Sequence, residues 1–576
     1  MTRLFNDPTE FADEMIDGFV AANADKVRRV AGGVVRSTRT PDGTVALVIG
    51  GGSGHYPAFG GIVGQGLAHG AAMGNLFASP SAQQVESVAT AANHGGGVLL
   101  SYGNYAGDVL HFTQAEQKLN AAGIPTRTVV VTDDISSAPV SEKHKRRGIA
   151  GDVTVFKAAA AAAEEGYSLD EVVRVAALAN ERTRSVGVAF SGCTLPGADA
   201  PLFSVPEGRM AVGMGIHGEP GIDETDVPTA DELATLFVDA LLAELPDGIH
   251  SPEGHRVGVI LNGLGSVKYE ELFVVYRHVA ALLDRAGLEV VDPEVGELVT
   301  SFDMAGASLT LFWLDDELER FWRAPADTPA YRKGSVGAVQ QLDPSEVMAA
   351  EAVVIPEADD ASKRAAGFVA RAIEAIERVV DDNADELGRI DAVAGDGDHG
   401  IGMQRGARAA SAAASEALAL GAGAKTLLEL AASAWANKAG GTSGALWGVA
   451  LSAVGEALGD EGSPSAATVS TGVTAAVDGI MSFGKAEVGD KTMVDALVPF
   501  RDTLAREVDG NGTLADAWRS AADAATAAAA ATADLLPRMG RARPHAEKSL
   551  GTVDAGAYSF GLIVHAIADT LVDETA

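Results

Sequence analysis

Cysteine is almost absent: the 576 residues contain one, Cys193. No intrachain disulfide can form, which excludes the disulfide-stapled scaffolds of small secreted domains. Positive charge is also scarce. Lys and Arg number 43 against 79 Asp and Glu, a formal charge of −36. That balance argues against nucleic acid or an anionic membrane as partner, since both need a basic surface. It still permits a local cationic pocket for phosphate. Long apolar runs are missing too. The alanine-rich AADAATAAAAATADLL is broken by Asp and Thr, and no stretch reaches the roughly 18 apolar residues of a membrane span. Residues 2–18, TRLFNDPTEFADEMIDG, are charged and lack a signal peptide's apolar core. A soluble, cytoplasmic protein is expected.

What is present divides in two. Up to about residue 325, short β-rich runs alternate with helical stretches: TVALVIGGG, GGGVLLSYG, RTVVVTDD, SVGVAFSG, VGVILNGLG and SLTLFWL. Strand–helix alternation implies largely parallel sheets with helices on their faces. The length suggests two α/β lobes over residues 1–328, with a break near 180–190. Residues 329–360 are rich in Pro, Asp, Glu and Ala with weak periodicity, as a linker is. From 361 to 576 strand signals are scarce and Ala, Leu and Glu recur at helical spacing, so an all-α bundle or barrel is expected. The alanine run reads as a tightly packed helix, because alanine has the best helix propensity. No fixed-period repeat stands out.

Three segments of the first half carry candidate chemistry. VIGGGSGHYPAFGG follows a strand and holds Gly52, Ser53, Gly54 and His55. SYGNYAGDVLHF also follows a strand and holds Asn104, Tyr105 and Asp108. GMGIHGEPG sets His217 among four glycines. In open α/β sheets ligands bind beyond the carboxyl ends of the strands, so His55, Asp108 and His217 are candidates to converge there. The glycine loop has no Walker lysine and by itself fits a plain strand–turn–helix corner.

In the second half, DAVAGDGDHG places Asp391, Asp396 and Asp398 within eight residues. Carboxylates so close repel unless a cation is present, and hard oxygen ligands suit Mg²⁺ or Ca²⁺. No EF-hand glutamate follows. The bland alternative is a solvated acidic turn capping the next helix. NKAGGTSGALWG offers Gly440, Gly441, Thr442, Ser443 and Gly444 at a helix start, where backbone N–H groups and hydroxyls hold phosphate. GKAEVGDKTMVDAL adds Lys491, Thr492, Met493 and Asp495. GRARPHAEKSLGTVDAGAYS supplies Arg541, a permanent cation, and Asp554.

These motifs, in this order over nearly the whole chain, resemble the single-chain ATP-dependent dihydroxyacetone (glycerone) kinases. GGGSGH, NYAGD, DDIS, RGIAG and GMGIHGEPG are similar to the substrate-domain motifs; GDGDHG, GGTSGALWG, GDKTMVDAL, GRA and DAGA are similar to those of the helical nucleotide domain. The resemblance implies that His217 forms a hemiaminal with a ketose and that Asp108, assisted by His55, is the acid–base residue. It implies substrate contacts from Gly52, Ser53 and Gly54. It also implies Mg²⁺ ligation by Asp391, Asp396 and Asp398, and nucleotide contacts from His399, Gly400, Thr442, Ser443, Gly489, Met493, Arg541 and Asp554. Short ketose and ATP are the implied small-molecule partners, and a homodimer is the family expectation.

The substrate text departs from the common family form. GHYPAF stands where GHEPAH is usual, bringing Tyr56 and Phe59, and Gly103 stands where a lysine usually precedes the NYAGD-like motif. These departures favour a four-carbon erythrulose as substrate. The alternatives are dihydroxyacetone itself, a non-catalytic ketose sensor, and cyclisation of FAD as a side reaction.

Overall fold

The computed structural model describes residues 4–198, 200–342, 355–393, 397–539 and 548–573. The chain divides into two units, Met1–Glu351 and Ala352–Ala576. Asp396 and Arg541 lie outside the described residues.

The first unit opens with α1 (Phe11–Ala22), followed by β1 (Val27–Val30), β2 (Gly33–Arg36), β3 (Ala46–Ser53), β4 (Gly70–Leu76), α2 (Ala82–Ala92), β5 (Val98–Gly103), α3 (Ala106–Ala121) and β6 (Thr126–Val131). The first sheet has the order β1-β2-β4-β3-β5-β6. β4, β3, β5 and β6 run parallel, and β1 and β2 are antiparallel additions at one edge. Next come α4 (Gly151–Glu164), α5 (Leu169–Glu181), β7 (Thr183–Ala189), β8 (Arg209–Val212), β9 (Asp223–Asp226), α6 (Ala230–Leu242), β10 (Arg256–Gly263), α7 (Tyr269–Arg285), β11 (Glu289–Gly296), β12 (Gly306–Leu314), α8 (Asp316–Arg323), β13 (Ala326–Asp327) and β14 (Arg332–Lys333). The second sheet has the order β11-β10-β12-β7-β8-β9.

The expectation of largely parallel sheets holds for the first sheet and fails for the second. There only β10 and β11 are parallel, and the other four pairings are antiparallel. Hydrophobic runs mark a buried strand but carry no sign of its direction. β7, the first strand of the second sheet along the chain, begins at Thr183.

α4 shows why an alanine run was selected there. Its sequence GDVTVFKAAAAAAE is buried from Gly151 to Ala163. It packs against β3, β5 and β6 of one sheet and β7 and β12 of the other. Small side chains let two sheets approach one helix from both sides, and one continuous core runs through it. Capping boxes at Ser81/Gln84, Ser168/Glu171 and Thr229/Glu232 start α2, α5 and α6.

The segment read as a linker from 329 is bound to the first unit as far as residue 342. Asp327 N–H donates to Gln65 O, Ala330 N–H to Gly61 O, Arg39 N–H to Gln340 O and Leu342 N–H to Ser37 O. Tyr331 is buried, and its hydroxyl donates to Glu294. Two-residue strands and single bridges leave no periodicity in sequence, which is why the segment looks unstructured there.

The second unit is helical throughout its described residues: α9 (Asp360–Asp391), α10 (His399–Ala419), α11 (Ala424–Ala439), α12 (Gly441–Leu458), α13 (Ala466–Gly484), α14 (Val494–Asp509), α15 (Leu514–Ala531) and α16 (Ala555–Asp573). Each helix packs on the next, and α16 returns to α9, closing a ring. The core includes Trp435 stacked on Trp447 at 5.1 Å, and Phe500 edge-on to Trp518 and Phe560. The alanine run is α15, which buries Ala517, Ala521, Ala522, Ala525 and Ala529. Among the described residues no helix is long and apolar enough to cross a membrane.

Candidate active site

In the first unit the candidate residues lie on loops beyond β3, β4, β5 and β8. β3 carries His55 just past its carboxyl end, and its neighbour β5 delivers Asp108 in the first turn of α3. The loop from β8 to β9 brings His217 across from the second sheet. His55 Nε2 and His217 Nε2 stand 3.0 Å apart, both rings buried. His55 Nδ1 lies 2.7 Å from the carbonyl of Thr300. A carbonyl can only accept, so this Nδ1 carries a proton and His55 Nε2 faces its neighbour.

Aromatic rings wall the pair. Phe77 stacks on His55 at 4.9 Å and meets His217 edge-on at 5.5 Å. Tyr105 meets His217 edge-on at 4.5 Å, and its hydroxyl donates to Gly148 O. Burial, reinforced by Glu219, raises the Tyr105 phenol well above its usual range, so it stays neutral. Phe77 sits at φ +52°, in the left-handed region that few non-glycine residues adopt.

Asp108 is buried and accepts a 2.7 Å hydrogen bond from Ser79 Oγ. Ser53 Oγ is committed to Gly74 O at 2.6 Å. A Cβ at Gly52 would press on the backbone of Phe77 and Ala78, so this glycine serves the placement of Phe77. In GMGIHGEPG, a Cβ at Gly215 would overlap the Glu219 carboxylate and the Arg147 guanidinium, and one at Gly218 (φ +84°) would overlap the Phe203 ring. The glycines thus let the loop fold tightly around the side chains that hold His217.

Of the three departing residues, Phe59 is buried with its ring 6.4 Å from His55. Tyr56 turns away onto Phe19 of α1 and is 47% exposed. At Gly103 a Cβ would meet the Tyr105 ring at 3.2 Å. Three residues that matter here were not singled out from sequence. They are Glu219, Ser79 and Phe77. Glu219 stands inside the quoted GMGIHGEPG, so its signal was in view. The other two have no signal beyond following β4.

In the second unit topology gathers the motifs. Helices that alternate in direction put every odd-to-even connection at the same end of the ring. The described parts of those connections, 392–393, 397–398, 440, 485–493, 532–539 and 548–554, belong to or adjoin all four candidate motifs. α10, α12 and α14 begin there without a side-chain cap. Helix N-termini favour anions; in this structure the first N–H of α10 donates to Asp391 and that of α14 to Thr492 Oγ1.

Asp391 ends α9, and its carboxylate accepts from His399 N–H at 3.4 Å. Asp398 is the N-cap residue of α10, and burial followed by the neighbouring Asp391 raises it to about 7. Burial, then Asp391 and Asp495, raise Asp554 to about 7 against the N–H of Ala557. These carboxylates repel one another, as a site built for a cation does. Among the described residues no three His, Cys, Asp or Glu side chains gather closely enough to hold an ion by themselves. A Mg²⁺ that takes one or two carboxylates and fills its shell with phosphate and water fits such a set.

His399 Nε2 lies 3.0 Å from Ser559 Oγ, and burial keeps its ring neutral. Gly400 fits closely against the Ala384 carbonyl of α9, where a Cβ would overlap it. Gly489 (φ +98°) and Thr492 donate their N–H groups to Asp495. Met493 is the N-cap residue of α14, Thr442 is exposed on the first turn of α12, and Ser443 Oγ lies 3.8 Å from Met403 Sδ. Lys491 is buried and donates to Ser549 O and Leu535 O, so it ties two connections together.

Residues 17–330 match the Dak1 domain and residues 393–569 the DAK2 domain. The chain belongs to the dihydroxyacetone kinase family. An L-erythrulose kinase of Pectobacterium atrosepticum is 64% identical, covering 100% of this chain and 97% of the relative. A D-erythrulose kinase of Mycolicibacterium smegmatis is 55% identical, covering 100% and 99%. The crystal structure of the dihydroxyacetone kinase from C. freundii in complex with AMP-PNP and Mg²⁺ is similar at 30% identity, with 99% of each chain covered and a TM-score of 0.52. The α/β unit followed by a helical unit is the architecture of this kinase family.

Proposed function

We propose that this chain is an erythrulose kinase that captures its ketose covalently on His217 and phosphorylates a terminal hydroxyl with ATP. The observation that carries the reading is the buried contact between His55 Nε2 and His217 Nε2. With His55 Nδ1 committed to Thr300, the pair is joined by one proton between its Nε2 atoms. When that proton rests on His55, His217 Nε2 holds a lone pair, and a neutral imidazole attacks a carbonyl. The N–C bond forms, the C=O π bond opens, and the oxygen takes the proton from His55. Polyols such as glycerol offer no carbonyl and are rejected by chemistry rather than by size.

Asp108, oriented by Ser79, is the base that draws the proton from the hydroxyl to be phosphorylated. The ring wall of Phe77 and Tyr105 excludes water from the histidine pair. ATP belongs to the helical unit, where the positive ends of the α10, α12 and α14 dipoles and the DAK2 motifs suit phosphate. Asp391 and Asp398 would hold Mg²⁺, which offsets phosphate charge when bound. The roles of Asp396 and Arg541 rest on the family motif alone. A cytoplasmic homodimer completes the proposal, checked by light scattering and cell fractionation.

Both erythrulose enantiomers appear among the relatives' names. Comparison of kcat/KM for L-erythrulose, D-erythrulose and dihydroxyacetone on purified protein tests the substrate. The expected order puts an erythrulose first; dihydroxyacetone first overturns the substrate, and no turnover of any ketose overturns the kinase.

A further inference from the structure

His217 has a second polar neighbour besides His55. Glu219 Oε1 lies 3.4 Å from His217 Nδ1, on the side of the ring away from His55. Glu219 Oε2 accepts the backbone N–H of His217 at 3.1 Å. The same Oε2 lies 3.6 Å from Arg147. Arg147 in turn donates to Asp134 at 2.9 and 3.2 Å and to Gly213 O at 3.0 Å, so it ties the loop's first residue to its carboxylate. Burial opposes the Arg147 charge, and Glu219 and Asp134 more than offset it. Among the described residues, the titratable groups beside the histidine pair include Glu219 and Tyr105, with Arg147 and Asp134 behind them. The glycine at 215 clears the space in which Glu219 and Arg147 meet.

We propose that Glu219 is the positioning residue for ketose capture: it holds a proton on His217 Nδ1 and so directs the lone pair of Nε2 at the substrate carbonyl. The inference rests on the reading that His217 captures the ketose. A carboxylate accepts and does not donate, so the tautomer with hydrogen on Nδ1 is the one it favours. Neutral imidazole has one ring hydrogen, and fixing it at Nδ1 leaves Nε2 as nucleophile. When Nε2 bonds to the carbonyl carbon and His55 passes its proton to the oxygen, the positive charge moves from His55 to the ring of His217. Glu219 is the anion beside that charge. A separation of 3.4 Å is long for a hydrogen bond, and charge-assisted bonds run at about 2.7–2.9 Å. The contact thus tightens as the adduct forms, which is stabilisation spent on the product of capture rather than on the free enzyme.

The test uses full-length wild type, Glu219→Gln and Glu219→Asp, with erythrulose labelled with ¹³C at its carbonyl. The adduct is read by NMR as conversion of the carbonyl carbon to a tetrahedral carbon that stays protein-bound and is absent in His217→Ala. Absence of that signal in wild type overturns the capture reading itself, and this inference with it. With the wild-type signal present, Glu219→Gln is expected to lower the adduct population about tenfold. It is also expected to move the alkaline limb of kcat/KM down by about one pH unit, because an opposite charge at this distance is worth about one unit or more to a cation. Glu219→Asp keeps the charge and is expected to restore most of both. An adduct population and a pH limb unmoved in Glu219→Gln overturn the inference while leaving capture intact. Should Glu219→Gln not fold by circular dichroism, Glu219→Ala takes its place: a downward shift of the limb supports the inference, and none overturns it.

Discussion

The two units present reactive groups by opposite means. In the α/β unit, loops beyond β3, β4, β5 and β8 converge: His55 is held by Thr300 and Asp108 by Ser79, both distant in sequence, while His217 has Glu219 of its own loop beside it. In the helical unit no such partnering is needed to gather the motifs. An alternating ring of helices delivers every odd-to-even connection to one end, and the local charge of Asp391, Asp398 and Asp554 sets the chemistry there. A site made by convergence depends on its supporting contacts. A site made by topology depends on its ligands.

That contrast can be broken or sharpened experimentally. The largest effect is expected from Asp108→Asn, which removes the proposed base while keeping the bond to Ser79. It should lower kcat about 10²–10⁴-fold with little change in KM, read by coupled ATP consumption. Next comes Asp398→Asn in the helical unit. Mg²⁺ with AMP-PNP should raise the wild-type Tm, and the variant should lose most of that rise while its ketose adduct persists. If the adduct vanished with it, the two units would not be separable as described.

A smaller effect concerns Lys157, buried midway along α4 with its ammonium donating to Phe321 O. Burial, then Lys333, lowers it to about 7, against opposing pulls from Glu164 and Glu294. Folded, the side chain is neutral above that pH; unfolded, it stays charged up to about 10.5. Unfolding then takes up a proton, so stability rises with pH between about 7 and 10. Against Lys157→Met, the wild type should gain up to about 1.4 kcal/mol per pH unit over that window in denaturant titrations. The smallest effect is expected at Tyr56, which faces α1 rather than the histidines. Tyr56→Glu should change the erythrulose-to-dihydroxyacetone ratio of kcat/KM by no more than about twofold, in keeping with the about ±0.5 kcal/mol typical of surface changes.

Much of the fold was legible in sequence, for reasons particular residues make plain. The runs behind β3, β5, β6, β7, β10 and β12 are β-rich and bounded by turn residues. β4 was missed because GAAMGNL is small and glycine-laden, and β11 because EVVDPEVG interrupts its apolar residues with charge. The antiparallel pairing of the second sheet and the docking of 326–342 depend on backbone partners, which leave no period. Of the candidate site, His55 and His217 were legible through the glycines around them, and the contact between them is made by the fold. Ser79 and Glu219 are ordinary loop residues until their partners are seen. Tyr56 reads as a pocket departure in sequence, yet it packs on Phe19, since alternate side chains leaving a turn face different layers.

The central claim is that the ring of His217 bonds to the ketose carbonyl. A crystal structure of the protein soaked with erythrulose tests it most directly. Continuous density from Nε2 of His217 to a tetrahedral sugar carbon, with His55 beside its new hydroxyl, is the result the account predicts. A planar, unbonded ketone lying away from an unmodified His217 would contradict it.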